Sequence, residues 1–143
     1  MESFVDSKSN ALREQYLNDP LVKLESPFED DRGAIYPIVD EVMESCVIIV
    51  SKTGTVRANH YHKTDWHYCH VMDGEIQYHW RATGDESEPR VVTIGKGECF
   101  FTPPMVDHAM VFTRDTTFLT LGRNPRDQKT YEEDIERIDL VQV

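Results

Sequence analysis

The sequence predicts an all-β protein, a closed β-barrel or double-sheet jelly roll with a short helix near either end. Three observations carry that expectation. Eight short stretches with strand-like composition follow one another at near-regular spacing, and glycine-centred turns separate them. The chain has 143 residues, 39% hydrophobic and 29% charged with 7 Gly and 7 Pro, which suits one soluble domain around one core. So many short strands favour closure, because a closed or double sheet leaves few exposed edges.

Residues 1–30 are expected to form a helical extension packed on the barrel. Leu12, Tyr16 and Leu17 recur at helical spacing after the polar stretch from Ser7 to Asn10. Asp19-Pro20 should end this helix, since proline disfavours the α region in the residue before it. The barrel is expected over 31–125, with strands at 34–39, 45–51, 66–72, 75–81, 90–94, 99–102, 108–113 and 116–121. The separating turns are Lys52-Thr53-Gly54, Asp73-Gly74, Thr83-Gly84-Asp85 and Gly95-Lys96-Gly97. Residues 126–143 are expected to be a terminal helix and tail. Between Arg126 and Arg137, Tyr131 and Ile135 fall at helical spacing and Glu133 stands four residues before Arg137.

Charge and cysteine usage narrow the partners. Lys+Arg 15 against Asp+Glu 26 gives a net charge of -11, which argues against a nucleic-acid or anionic-membrane surface and favours small molecules, a substrate among them, or proteins as partners. Cys46, Cys69 and Cys99 are odd in number and contain no CxxC, so they read as reduced, buried hydrophobes rather than as disulfides or thiolate ligands. The opening MESFVDSKSN has neither a basic nor an apolar segment of a signal peptide, and no apolar run approaches the roughly 18 residues of a membrane span. A cytoplasmic protein is the expectation.

Histidines supply the chemistry. His60 and His62 are two apart on a predicted strand, so both rings leave the same face about 7 Å apart along the chain. After the polar turn Lys63-Thr64-Asp65, His67 shares one face with Cys69 and Val71. His108 comes after Thr102-Pro103-Pro104-Met105-Val106-Asp107, on a strand that returns beside the first in a jelly roll.

The spacing from Gly54 through His60-Tyr61-His62 and His67 to Gly74 resembles the first motif of the cupins, with His67 where that family usually has glutamate. Gly97, Pro103 and His108 resemble the second, with Met105 and Phe112 in place of the usual glycine and asparagine. The two motifs span about half of the chain. The resemblance implies a cupin barrel in which His60, His62, His67 and His108 hold a divalent transition metal, Zn, Fe, Ni, Mn or Cu. Imidazole suits Zn, Cu, Fe and Ni, and His67 in place of a carboxylate would leave the ion's charge uncompensated by its ligands. It also implies a homodimer joined through N-terminal strands around residues 35–39.

A narrower likeness bears on substrate. Phe28-Glu29-Asp30-Asp31-Arg32-Gly33, followed by Ile35 and Tyr36, resembles the opening of deoxysugar 3,5-epimerases. Arg57-Ala58-Asn59-His60-Tyr61-His62-Lys63 is similar to the Arg-Gly-x-His segment of those epimerases and of nucleotide-sugar 3,4-ketoisomerases, with Ala58 in place of glycine. The likeness implies proton transfer next to a keto group of a nucleotide-linked sugar. His60 would be the base, His62 its partner or a metal ligand, and Arg57 with Lys63 contacts to phosphate. If all four histidines hold metal, the base is another group, Tyr78, Tyr131 or a metal-bound hydroxide.

The remaining residues have ordinary expectations. His70 and His79 are bystanders, the aromatic residues from Trp66 to Phe101 are core, and the acidic runs at 29–31, 85–86 and 132–134 are solvated. Arg123, Arg126 and Lys129 follow the last strand; they read as surface charge, with the rim of the barrel mouth as the alternative. Three classes of function stay open: a sugar-nucleotide epimerase or isomerase, a metal-dependent oxygenase or other small-molecule cupin enzyme, and a non-catalytic metal- or ligand-binding module.

Overall fold

A computed structural model describes residues 6–142; residues 1–5 of the expected N-terminal extension and residue 143 of the tail lie outside them. Helix α1 (Ser7–Asn18) starts where the Asp6 carboxylate accepts the Ser9 amide at 2.8 Å. It ends at Asp19, which the following proline holds extended at φ -146° and ψ 112°. The helix is anchored to the barrel by two indoles: Trp66 Nε1 donates to Ser9 Oγ at 3.2 Å and Trp80 Nε1 to the Leu17 carbonyl at 2.7 Å. Tyr16 completes the contact by packing on Phe101, with ring centroids 4.5 Å apart.

Strands β1 (Phe28–Asp30) and β2 (Gly33–Ile35) form an exposed antiparallel hairpin. The strand expected over 34–39 therefore stops at Ile35, and Pro37 gives the reason, since it offers no N–H to a ladder. The barrel continues as β3 (Ser45–Ser51), β4 (Val56–His62), β5 (His67–Asp73), β6 (Glu75–Ala82), β7 (Arg90–Gly95), β8 (Cys99–Thr102), β9 (Val106–Phe112) and β10 (Thr116–Gly122). These strands form two antiparallel sheets, β3-β10-β5-β8 and β11-β4-β9-β6-β7, with β11 (Ile135–Arg137) on the edge beside β4. This is the double-sheet jelly roll that the strand spacing predicts. The tightest turn joins β5 to β6 at Gly74, φ 103°, where a Cβ would stand 2.6 Å from the Asp115 carbonyl oxygen.

The terminal helix is shorter than expected. Helix α2 (Gln128–Asp134) ends because the Asp134 carboxylate is drawn inward and the next three residues pair with β4. Arg137 accordingly pairs with Glu132 at 2.9 Å and not with Glu133.

Period-2 alternation builds the core. On β6 the buried residues Ile76, Tyr78 and Trp80 alternate with half-buried neighbours, and they meet Phe100, Phe112, Phe118, Ile94 and Val71 from the facing strands. The histidines occupy the other part of the interior. No helix among the described residues is long and apolar enough to cross a membrane.

Candidate active site

A cavity of about 280 Å³ opens between the two sheets, lined by His60, His62, His67 and His108 together with Arg57, Arg126 and Tyr131. The histidines reach it by an irregularity in β4. Ala58 (φ 70°) and Asn59 (φ 51°) are both left-handed, and the β4–β9 register slips between Ala58 and His60. One extra residue in a strand bends it and re-aims the side chains beyond it. As a result His60 faces His108 in register, and both His60 and His62 are buried.

Three imidazoles converge. The ring centroids of His60 lie 4.7 Å from His62 and 4.9 Å from His108, and ligand nitrogens of all three lie within 4.8 Å of one another. His67 lies 5.0 Å from His62 between centroids and is not part of the three-ring set. Its nitrogens face elsewhere: Nε2 lies 3.1 Å from Asp65 Oδ2 and Nδ1 3.5 Å from Thr102 Oγ1. Gly122 makes room for this ring, since a Cβ there would stand 2.8 Å from His67 Cδ2.

Hydrogen bonds assign the protons. His62 Nδ1 donates to Asp134 Oδ2 at 3.1 Å, and the same carboxylate accepts the Thr64 amide, the Thr64 hydroxyl and the Asp65 amide. Burial would raise the Asp134 carboxyl, but the His62, Thr64 and Asp65 hydrogen bonds outweigh it and hold its pKa at about 2. Asp134 is therefore a carboxylate, which places the proton on Nδ1 and leaves Nε2 with the lone pair. His108 is fixed in the same way, its Nδ1 bonded to the Val106 carbonyl at 3.2 Å.

Burial, with the neighbouring imidazoles second, lowers the His60 pKa and drives that of His108 down to about 3. For His62 burial is again the largest effect, and the Asp134 hydrogen bond opposes it. Burial would raise the Asp65 carboxyl as well, but the His67 hydrogen bond and charge hold it below its ordinary value. Neutral His60, His62 and His108 thus stand near two buried carboxylates. His62, Asp65 and Asp134 also come together, as a hydrogen-bonded triad whose Asp134 oxygens are already taken by N–H and O–H donors.

The other residues singled out from sequence divide between site and core. Tyr131 stands against the imidazoles, its centroid 6.2 Å from His60 and 5.9 Å from His62, with the Arg126 guanidinium 3.8 Å over its ring. Burial raises its phenol. Tyr78 lies outside the cavity lining, wholly buried between Trp80 and Phe100 with no hydrogen-bond partner for its hydroxyl. Its position on the inward face of the regular strand β6 makes it core. Arg57 lines the cavity, braced by bonds to Ser51 Oγ at 2.7 Å and the Val50 carbonyl at 3.0 Å. Lys63 does not line it; its ammonium meets Glu136 and the Glu133 carbonyl, both at 3.3 Å. Cys69 reaches the cavity wall, and burial pushes its thiol up. His70 and His79 stay outside.

Asp134 went unpredicted: expected on a solvated face, it is 8% exposed. Arg126 lines the cavity, the alternative to surface charge at that position. The Asp134–His62 contact joins residues 72 positions apart, so no local pattern announces it. Asp65 had a weak signal, an acid two residues before a histidine at the start of a strand.

No protein-family model matches the sequence, and no curated protein matches it. Solved structures do. A sugar 3,4-ketoisomerase from Thermoanaerobacterium thermosaccharolyticum in complex with TDP is 18% identical, with a TM-score of 0.66 over 82% of this chain and 85% of that one. A 3,4-ketoisomerase from Helicobacter canadensis is 16% identical, with a TM-score of 0.66 over 80% and 86%. The dTDP-4-dehydrorhamnose 3,5-epimerase of Sulfolobus tokodaii is 14% identical, with a TM-score of 0.64 over 87% and 86%. These likenesses establish the fold as the cupin jelly roll.

Proposed function

We propose that the protein is an isomerase or epimerase that moves a proton on a carbon next to the keto group of a nucleotide-linked sugar. The observation that carries this is the buried His62–Asp134 pair, which leaves Nε2 of His62 as a base in a cavity wide enough for a small ring. In the reaction the C–H bond beside the ketone breaks, its proton passes to His62 Nε2, and its electron pair moves onto the carbonyl oxygen as an enolate. Asp134 stabilises the imidazolium so formed. Tyr131 supplies a hydroxyl donor to the enolate oxygen. Delivery of a proton from water to the opposite face, with His62 releasing its own to solvent, gives epimerisation; return of the proton to the former carbonyl carbon, with the proton of the adjacent hydroxyl passing to the former carbonyl oxygen, gives ketoisomerisation.

The base is thus His62, with His60 beside it, because the carboxylate stands behind His62. Substrate anion is met by Arg57 and Arg126; neither makes an ion pair with a carboxylate among the described residues, although the chain is strongly acidic. The likeness to sugar-nucleotide enzymes supports the same substrate class. The test is incubation with a nucleotide-linked 4-keto-6-deoxyhexose in heavy water. Deuterium should enter C3 or C5 with the wild-type protein and not with His62→Ala; no exchange across several such sugars contradicts the proposal.

A second reading rests on the convergence of His60, His62 and His108. Metal-binding histidines commonly bond their other nitrogen to a carboxylate or carbonyl, as His62 and His108 do here. In that reading these three rings hold a divalent transition ion, which would polarise the keto oxygen, while His67 is tied to Asp65. Elemental analysis of protein purified without an affinity tag tests it: stoichiometric metal that is lost in His108→Ala supports the ion, and full exchange activity in metal-free protein contradicts it.

We also propose a homodimer. Phe28, Ile35 and Tyr36 on or beside the β1–β2 hairpin, and Ile48 and Val50 on β3, are each at least 60% exposed. The β1–β2 hairpin is too short to be stable without a neighbour. A monomer by light scattering contradicts this.

A further inference from the structure

The bulge that aims His60 is held by the far end of the chain. Ala58 and Asn59 are successive left-handed residues, neither of them glycine. Such backbone is strained for a residue with a Cβ and persists where surrounding contacts over-determine it. Asn59 carries those contacts. Its carbonyl accepts the Ile138 amide at 2.9 Å. Its side-chain Nδ2 donates to the Val141 carbonyl at 2.9 Å, and its Oδ1 accepts the Val141 amide at 3.0 Å. The side-chain amide therefore pairs with Val141 as a neighbouring strand would. It extends the β11–β4 ladder, which ends at Arg137↔His60, past the point where the bulge interrupts β4.

We propose that Asn59 is a positioning residue and that the C-terminal tail is part of the site: the clamp between Asn59 and Val141 fixes the bulge and so the direction of the His60 ring. Neither Asn59 nor Val141 lines the cavity. The inference goes beyond the proposed reaction and stands on the placement of His60, whichever chemistry that ring serves.

The alternatives at position 59 separate backbone from clamp. Glycine accepts the left-handed conformation and loses both side-chain bonds. Aspartate keeps the shape and the acceptor for the Val141 amide but sets an oxygen against the Val141 carbonyl. Val141→Pro removes the amide donor from the other side of the clamp.

The test is NMR of the histidine ring signals in the full-length protein, with His60 assigned from His60→Gln and His79 as a reporter of the intact barrel. Asn59→Gly, Asn59→Asp and Val141→Pro should each shift the His60 signal and leave that of His79 in place. The Asn59→Gly/Val141→Pro double variant should shift it no further than the larger single change, because both remove one clamp. An unmoved His60 signal in folded Asn59→Gly overturns the proposal. So does a shift in Asn59→Gly that Val141→Pro fails to reproduce, for then the backbone at 59 sets the ring without the tail. If the Asn59 variants do not fold, Val141→Pro decides alone, by the same shift or its absence.

Discussion

Strands β4 and β6 flank the same strand, β9, in the same sheet, yet they build opposite interiors. From Ile76↔Phe112 to Ala82↔Val106, β6 pairs with β9 without interruption, and it sends Ile76, Tyr78 and Trp80 into an aromatic-rich core. β4 breaks register beside Asn59 and sends in His60 and His62. The regular ladder needs only side-chain alternation to bury apolar surface. The bulged ladder buries polar rings, so each needs a partner or must stay neutral: Asp134 comes to His62 from α2, 72 positions away, while His108 across the ladder takes the Val106 carbonyl of its own strand.

The largest effect should come from the regular side. Ile76→Ala removes a wholly buried side chain and should cost about 2–5 kcal/mol in urea unfolding. A cost below about 1 kcal/mol would mean that β6 is not the centre of the core.

On the bulged side the largest effect falls on rate. Asp134→Asn keeps the size but offers His62 an amide in place of a carboxylate, so the Nδ1–H tautomer is no longer enforced. Exchange activity should fall by about 10²-fold or more, with the protein still folded by circular dichroism. Activity unchanged by that substitution would separate Asp134 from the chemistry.

A smaller contrast is pH-dependent. His60 and His108 have folded pKa values below the unfolded value of about 6.5. The unfolded chain therefore takes up protons that the buried rings refuse. Their stability contribution is complete above about pH 6.5 and is lost as pH falls, by up to about 1.4 kcal/mol per pH unit for each ring. For His108 the loss runs down to a folded value of about 3. Urea midpoints at pH 7 and pH 5 should show the drop in wild type and a smaller one in His108→Gln.

The smallest effect is expected at Tyr78. Its buried hydroxyl has no partner, so Tyr78→Phe should change stability by less than about 1 kcal/mol, in the stabilising direction, and leave exchange activity intact. Loss of activity would return Tyr78 to the site.

The same contrast explains what was legible in the sequence. β6 could be read directly, because Ile76, Tyr78 and Trp80 alternate between clear turns at Asp73-Gly74 and Thr83-Gly84. His60, His62 and His108 were legible as a set because i, i+2 spacing and the return strand bring them together. The bulge was not, because left-handed residues are usually signalled by glycine and here they are Ala58 and Asn59. Asp134 was hidden in an acidic run whose other members are solvated, and only the closing of α2 and β11 against β4 turns it inward. The helical spacing of Tyr131 and Ile135 suggests one helix, whereas Tyr131 serves α2 and Ile135 begins a strand.

The central claim is that the fold presents His62 as a neutral ring with its Nδ1 proton on Asp134 and its Nε2 lone pair free. Long-range ¹H–¹⁵N NMR of the imidazoles at pH 7 measures this directly. A neutral His62 with the proton on Nδ1, converted toward the other tautomer in Asp134→Asn, is the predicted result. A His62 that is doubly protonated at pH 7, or that carries its proton on Nε2 in the wild-type protein, would contradict it.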